Sequence, residues 1–281
     1  MQNFTLHTHN NELNFDGRAD AFTMIEKAQS LGFNTIGVSN HMIINERLKF
    51  PPSIVEPMFF NDFKKATECY KRHIEILENL KSQFNINIKI GFECDFFENN
   101  NWRISFEKML KELDIDYLIG SNHFIRNDDE SFILNIYHLQ KHPHNLDQET
   151  IDYYTKNYYK NTVSLIRSGY FSFVAHIDYC TIFNIGEDSR YDSYKLAILD
   201  ALQETKTPLE INTSGYDRIN RPHPAPWLLK ELSKTNQVPL LISDDAHSPD
   251  KIGNHFKKTE DLLKELNYTN RFTLDMLKKP F

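Results

Sequence analysis

Short apolar runs alternate with longer amphipathic stretches along the whole chain. Seven runs read as strands: Phe4–Leu6, Thr35–Ser39, Ile88–Phe92, Tyr117–Gly120, Phe171–Ala175, Leu209–Ile211 and Val238–Ile242. Each is short and enriched in apolar or β-branched residues. Between them apolar positions recur at helical spacing, as in Phe22, Ile25 and Ala28, and in Phe63, Ala66, Tyr70, Ile74 and Leu77. Ile151, Tyr154 and Tyr158 repeat the pattern, as do Leu262 and Leu266, and residues 99–113 and 193–205 also read as helical. Strand–helix alternation of this kind implies a parallel sheet. No Gly/Ser/Pro linker and no repeat of fixed period divides the chain, so residues 1–281 are expected to form one domain.

Seven parallel strands can make an open doubly wound sheet or a closed barrel. Polar residues suited to chemistry follow nearly every strand: His7 and His9, then His41, Glu93, His123, His176, Asn212, and Asp245 with His247. An open sheet gathers its binding residues at one switch point. A barrel brings the C-terminal ends of all strands to a single mouth. The spread of these residues favours an α/β barrel.

Composition narrows the classes of partner. The chain has 281 residues, of which 40% are hydrophobic, enough for a sizeable core. Thirty-two basic residues against 39 acidic give a net charge of −7, which disfavours nucleic acid and membrane surfaces as partners. A small anionic substrate stays open, because bound metal can reverse the local field. The three cysteines, Cys69, Cys94 and Cys180, are far apart and suggest no disulfide framework. With no leader-like N-terminus and no apolar run long enough to span a bilayer, the expected compartment is the cytoplasm.

The candidate chemistry lies at the strand ends. His7-Thr8-His9 projects two imidazoles to one side of an extended segment. Three apolar strands each run into a histidine, at His41, His123 and His176. Glu93 closes the run Lys89–Phe92, and a carboxylate there is costly without a cation or donors; its two oxygens can bridge two metals. Asp245 and His247 form a D-x-H pair after Val238–Ile242. Asp16 stands in Asn14-Phe15-Asp16-Gly17, which also reads as an Asp-Gly turn. All nine candidates are N or O donors, a set that suits two or three clustered Mn²⁺, Fe²⁺ or Zn²⁺ ions better than Mg²⁺ or Ca²⁺.

These residues carry a family resemblance. Leu6-His7-Thr8-His9, Asp16-Gly17, the stretch from Ala28-Gln29-Ser30-Leu31-Gly32-Phe33 to His41, Gly91-Phe92-Glu93-Cys94-Asp95 and Gly120-Ser121-Asn122-His123 match it in order and spacing. So do Ala175-His176-Ile177-Asp178, Glu210-Ile211-Asn212-Thr213-Ser214-Gly215 and Ser243-Asp244-Asp245-Ala246-His247. The pattern is similar to the PHP (polymerase and histidinol phosphatase) superfamily, and within it to the stand-alone histidinol-phosphatases. The resemblance implies a distorted seven-stranded (β/α)7 TIM-like barrel with a trinuclear metal site. It assigns His7, His9, Glu93 and Asp245 to one metal. Glu93 bridges to a second, held by His123 and His176, and Asp16, His41 and His247 hold the third. It also implies hydrolysis of the phosphate monoester of L-histidinol, a step of histidine biosynthesis.

Two departures stand out. Ser39-Asn40-His41 occupies the place of a usual Thr-Asp-His or Thr-Glu-His. His176-Ile177-Asp178 is followed by Tyr179-Cys180-Thr181-Ile182-Phe183, without the family's phosphate-binding arginine. Arg218 and Arg221 are therefore the expected phosphate clamps, with Arg126 and Arg18 behind them, since an arginine fork binds two phosphate oxygens. Asp95, Asp178 and His223 are candidates to protonate the leaving group. The long connections 43–61 and 126–150 are expected to cover the mouth, lined by Phe59, Phe60, Phe124 and Tyr137. The alternatives are a PHP phosphatase or phosphodiesterase acting on another small phosphate ester, and a non-catalytic PHP domain.

Overall fold

A computed structural model describes residues 2–13, 16–48, 60–136 and 147–280. In chain order the strands are β1 (Phe4–Thr5), β2 (Thr35–Val38), β3 (His41–Met42), β4 (Asn87–Asp95), β5 (Tyr117–Ser121), β6 (Phe124–Arg126), β7 (Ile133–Asn135), β8 (Phe173–Val174), β9 (Leu209–Asn212) and β10 (Leu240–Ser243). Seven of them, β1, β2, β4, β5, β8, β9 and β10, pair in that order and all in parallel. They match the seven apolar runs and form a nearly closed, distorted α/β barrel. β3 prolongs the wall by pairing with the upper part of β4, where His41 lies opposite Glu93.

The seam between β10 and β1 is closed without a regular ladder. The Gln2 side chain stands in for a strand. Its Nε2 donates to the Ile242 carbonyl at 2.6 Å and its Oε1 accepts from the Ile242 amide at 2.9 Å. Higher up, the His9 amide donates to the Ala246 carbonyl at 2.8 Å. Thr8 and Ala246 form a parallel bridge there. These contacts tie the two end strands together across the seam.

Strand alternation sorts the side chains. Phe4, Leu6, Tyr117, Ile119, Phe173, Ala175 and Leu241 point inward and pack with Phe272 as the floor of the barrel. Tyr117 dominates this floor. It fits because Gly37 and Gly91 face it, and a Cβ on either would come within 2.2–2.5 Å of its ring or hydroxyl. Outward residues such as Ile36, Ile90, Leu118, Ile211 and Ile242 join the larger core under the helices. On β9 the outward pair is Leu209 and Ile211. Glu210 and Asn212 are then the inward ones.

The helices are α1 (Ala21–Ser30), α2 (Phe63–Lys81), α3 (Asn100–Leu110), α4 (Gln148–Arg167), α5 (Asp192–Thr205), α6 (Gly215–Ile219), α7 (Pro226–Ser233) and α8 (Phe256–Glu265). The first four open on Asp20, Asp62, Asn99 and Asp147, each accepting a first-turn N–H. Among the described residues no helix is long and apolar enough to cross a membrane.

In the long connection after His123, β6 and β7 pair as an antiparallel hairpin. One expectation needs correction. Phe60 and Phe124 do not line the mouth, since both are buried in the outer core. Phe59 and Tyr137 lie outside the described residues.

Candidate metal centre

All nine expected ligands gather at the C-terminal mouth of the barrel. Glu93 is the hub, fully buried at the top of β4. Its Oε1 lies 2.8 Å from His176 Nε2 and 3.4 Å from His123 Nε2. Its Oε2 lies 2.8 Å from His41 Nδ1, 3.4 Å from His7 Nε2 and 3.6 Å from His9 Nε2. One carboxylate thus turns each oxygen to a different set of histidines, the disposition a bridging ligand needs. Asp245 sits opposite, its Oδ1 3.1 Å from His9 Nε2 and 3.5 Å from His7 Nε2. Asp245 has a left-handed backbone with φ 49°, an uncommon conformation for a non-glycine residue and one found at functional sites. Asn212 steadies it by donating to Oδ2 at 3.1 Å.

The third group is more open. Asp16 Oδ2 lies 3.0 Å from His247 Nε2 and 3.6 Å from His41 Nε2, and the Asp16 side chain is 44% exposed. Four sets of donor atoms fall within 4.8 Å of one another: His9, Asp16, His41 and His247; His7, His9 and Glu93; His41, Glu93 and His123; and His7, His176 and Asp245.

Electrostatics fits a cation. Burial works against charge on His7, Glu93 and His9. Against that cost, Glu210, Asp245 and Glu93 still raise the His7 imidazole well above its ordinary value. His123, His41 and His7 hold Glu93 well below the carboxylate range despite its burial. His9, desolvated and beside His247 and His41, is lowered to about 3 and stays neutral, as a ligand must. His7 Nε2 is buried and makes no hydrogen bond of its own. Such an orphaned nitrogen amid carboxylates fits a divalent metal.

The other nominated residues divide. Asp95 is committed to His123: its Oδ1 accepts the His123 amide at 2.7 Å and its Oδ2 lies 2.9 Å from His123 Nδ1. Both of its oxygens are engaged by His123, so it orients an expected ligand. Asp178 is likewise committed. Its Oδ1 lies 2.7 Å from His223 Nδ1, and its Oδ2 accepts from Arg221 at 3.0 Å and from the Ala225 amide at 2.9 Å. Burial raises the Asp178 carboxyl, but His223 and Arg221 bring it down to about 2, so it stays ionised. His223 pairs through its backbone with Asn212 at the mouth end of β9.

Among the arginines, Arg218 faces the centre. Asp245, the Tyr179 hydroxyl and Asp16 raise its guanidinium against desolvation. A cavity of about 130 Å³ beside Asp245 and His247 is lined by Arg218, Arg18 and Lys251. Arg221 is turned away, bonded to Asp178, to Thr181 Oγ1 at 2.9 Å and to Glu187 Oε2 at 2.8 Å. Arg126 is buried, over the Phe97 ring and 3.5 Å from Glu130.

Two residues enter the site without having been anticipated. Tyr179 packs against His123 and His176, both at 4.9 Å between ring centroids. Glu210 Oε2 lies 2.5 Å from His7 Nδ1. The cost of a carboxylate in an apolar strand, which singled out Glu93, applied equally to Glu210.

The PHP domain family model matches residues 5–214. A relative from Deinococcus radiodurans named "Probable histidinol-phosphatase" is 25% identical over 210 residues, covering 73% of this chain and 74% of the relative. One of the same name from Schizosaccharomyces pombe is 20% identical over 279 residues, covering 94% and 87%. The crystal structure of histidinol phosphate phosphatase from Lactococcus lactis subsp. lactis, complexed with zinc, L-histidinol and phosphate, superimposes with a TM-score of 0.68. It is 16% identical and covers 99% of each chain.

Proposed function

The chain belongs to the PHP domain family, and from that premise we propose that it is a metal-dependent phosphomonoesterase whose substrate is L-histidinol phosphate. The reading rests chiefly on Glu93, whose two oxygens serve two separate groups of histidines. The substrate follows from the names and extensive coverage of the curated relatives. We take residues 1–281 as one catalytic unit working in the cytoplasm. Asp245 and His247 lie beyond the matched residues, yet they complete the ligand groups.

Two or three divalent transition metals would acidify water and neutralise phosphoryl oxygens here. We assign His7, His9, Glu93 and Asp245 to one, Glu93 with His123 and His176 to a second, and Asp16, His41 and His247 to a third. The chain's remaining groups handle substrate. Arg218 binds phosphate oxygens in the cavity beside Asp245, with Arg18 at its rim. Arg221 braces Asp178 instead. His223, oriented by the Asp178 carboxylate, carries the proton taken by the leaving alkoxide.

The test is phosphate release from L-histidinol phosphate and from a panel of amino-alcohol and sugar phosphates, before and after chelation. The expected result is highest kcat/KM on histidinol phosphate, abolished by chelation and restored by Mn²⁺ or Zn²⁺. Another ester preferred by a wide margin would keep the chemistry and change the substrate. That second reading draws on the missing arginine after His176-Ile177-Asp178 and on the engagement of Arg221. Full hydrolysis after removal of all metal would overturn the proposal.

A further inference from the structure

Around the mouth, β9 is exceptional. Of the seven wall strands, β1, β2, β4, β5, β8 and β10 each contribute or lead into an expected ligand, whereas β9 carries none. Its inward residues are nonetheless Glu210 and Asn212, both fully buried. Each touches a ligand of another strand: Glu210 meets His7 of the segment after β1, and Asn212 meets Asp245 after β10.

Glu210 has little else to do. Its Oε2 is 2.5 Å from His7 Nδ1, while its Oε1 is buried without a hydrogen bond. Among the described residues no lysine or arginine pairs with it. A buried carboxylate with a single hydrogen bond is expensive. The imidazole it holds passes the interaction on, because His7 Nε2 points into the cluster, 3.4 Å from Glu93 and 3.5 Å from Asp245. The two ring nitrogens therefore have separate tasks. A proton on Nδ1, donated to Glu210, leaves the Nε2 lone pair for a metal, and the same bond prevents the ring from flipping.

We propose that Glu210 is a positioning residue of the metal centre: it fixes the tautomer and ring plane of His7 and so sets the affinity of one metal. The inference rests on the reading of the mouth as a metal site. Asp95 stands in the same relation to His123 on the opposite wall. The two carboxylates thus hold imidazoles on either side of Glu93.

Glu210→Gln removes the charge at nearly constant volume, and its amide can donate to Nδ1, which favours the wrong tautomer. Glu210→Asp keeps the charge but draws it back from the ring. Each variant is compared with the wild type by zinc titration against a competing chelator and by melting of the metal-free protein. The expected result is a roughly 10- to 100-fold weaker affinity for one zinc equivalent, with the others unchanged. The metal-free melting temperature should stay near that of the wild type. Long-range ¹⁵N NMR of the zinc-loaded wild type should show His7 protonated at Nδ1. Wild-type affinity for every equivalent in both variants would overturn the role of Glu210 while leaving the metal centre intact. So would a lowered metal-free melting temperature with affinity unchanged, which marks a structural contact only. Failure of the wild type to bind zinc would overturn the metal centre itself, and this inference with it.

Discussion

Two regions of this molecule bury histidine almost completely and treat it in opposite ways. At the barrel mouth His7 is fully buried among Glu210, Asp245 and Glu93, which outweigh desolvation and raise its pKa well above the ordinary value. On the inner face of α2, His73 is 1% exposed and packs near the Phe92 ring, 5.9 Å between centroids. Neither nitrogen of His73 has a hydrogen-bond partner, and burial alone lowers it to about 4. Equal burial therefore says nothing about function. What separates the two is whether the fold brings carboxylates from several strands to the imidazole. At the mouth it does so six times over, for His7, His9, His41, His123, His176 and His247.

The harshest test of that distinction removes the shared carboxylate. Glu93→Gln keeps the shape but cancels the charge that five histidines face. It should lose bound metal, and turnover should fall by more than about 1000-fold, since the metal carries the chemistry. Elemental analysis and kcat on one preparation check this. Normal occupancy with normal turnover would mean that carboxylates do not define the mouth as a site. Next in size is the proposed substrate clamp. Arg218→Ala should cost about 2–4 kcal/mol of transition-state stabilisation, roughly 30- to 1000-fold in kcat/KM, with metal content intact. Arg221→Ala should behave otherwise. Its guanidinium joins Asp178, Thr181 and Glu187, so stability should fall by about 1.5–3 kcal/mol in denaturant titration. Its kcat/KM should change by less than about 10-fold. Reversal of the two effects would identify Arg221 as the clamp.

Much of the centre was legible because a barrel imposes simple geometry. A ligand at the C-terminal end of a strand must face the mouth, and each strand announces itself by its apolar run. His41, Glu93, His123, His176, Asp245 and His247 could therefore be read one strand at a time. What escaped reading depends on contacts between distant strands. The Glu210–His7 bond joins residues 203 positions apart, and only the sheet order brings them together. The engagement of Arg221 is likewise settled by where the segment after β8 folds back, which no local pattern encodes. β3 is only two residues long, and the β6–β7 strands three each, too short for an alternation signal. Asp95 and Asp178 looked like proton donors because they adjoin ligands. The structure shows each engaged with a histidine, Asp95 with His123 and Asp178 with His223.

His73 offers the smallest expected effect. It lies in the stripe Ala66, Tyr70, Ile74 and Leu77, and nothing in that spacing distinguishes a partnerless histidine from another core residue. The unfolded chain binds a proton at His73 near the ordinary value of 6.5, whereas the folded chain binds it only near about 4. Below pH 6.5 the unfolded state therefore holds more protons, and stability must fall as pH drops through this window. Above about pH 7.5 both states are neutral there and the contribution vanishes. His73→Leu removes the group at similar volume and should change stability at pH 8 by less than about 1.5 kcal/mol. As pH falls to 5 the variant should gain on the wild type by at most about 2 kcal/mol relative to their difference at pH 8. The groups at the mouth are common to both proteins, so their contributions cancel if both are measured in the same metal state. Urea titrations at pH 8, 6.5 and 5, together with kcat/KM at pH 8, decide the matter. A widening stability gap with unchanged activity marks a buried histidine outside the site. A constant gap would mean that His73 has a partner in solution and that the contrast with His7 is one of degree. A loss of activity would place α2 in the service of the mouth.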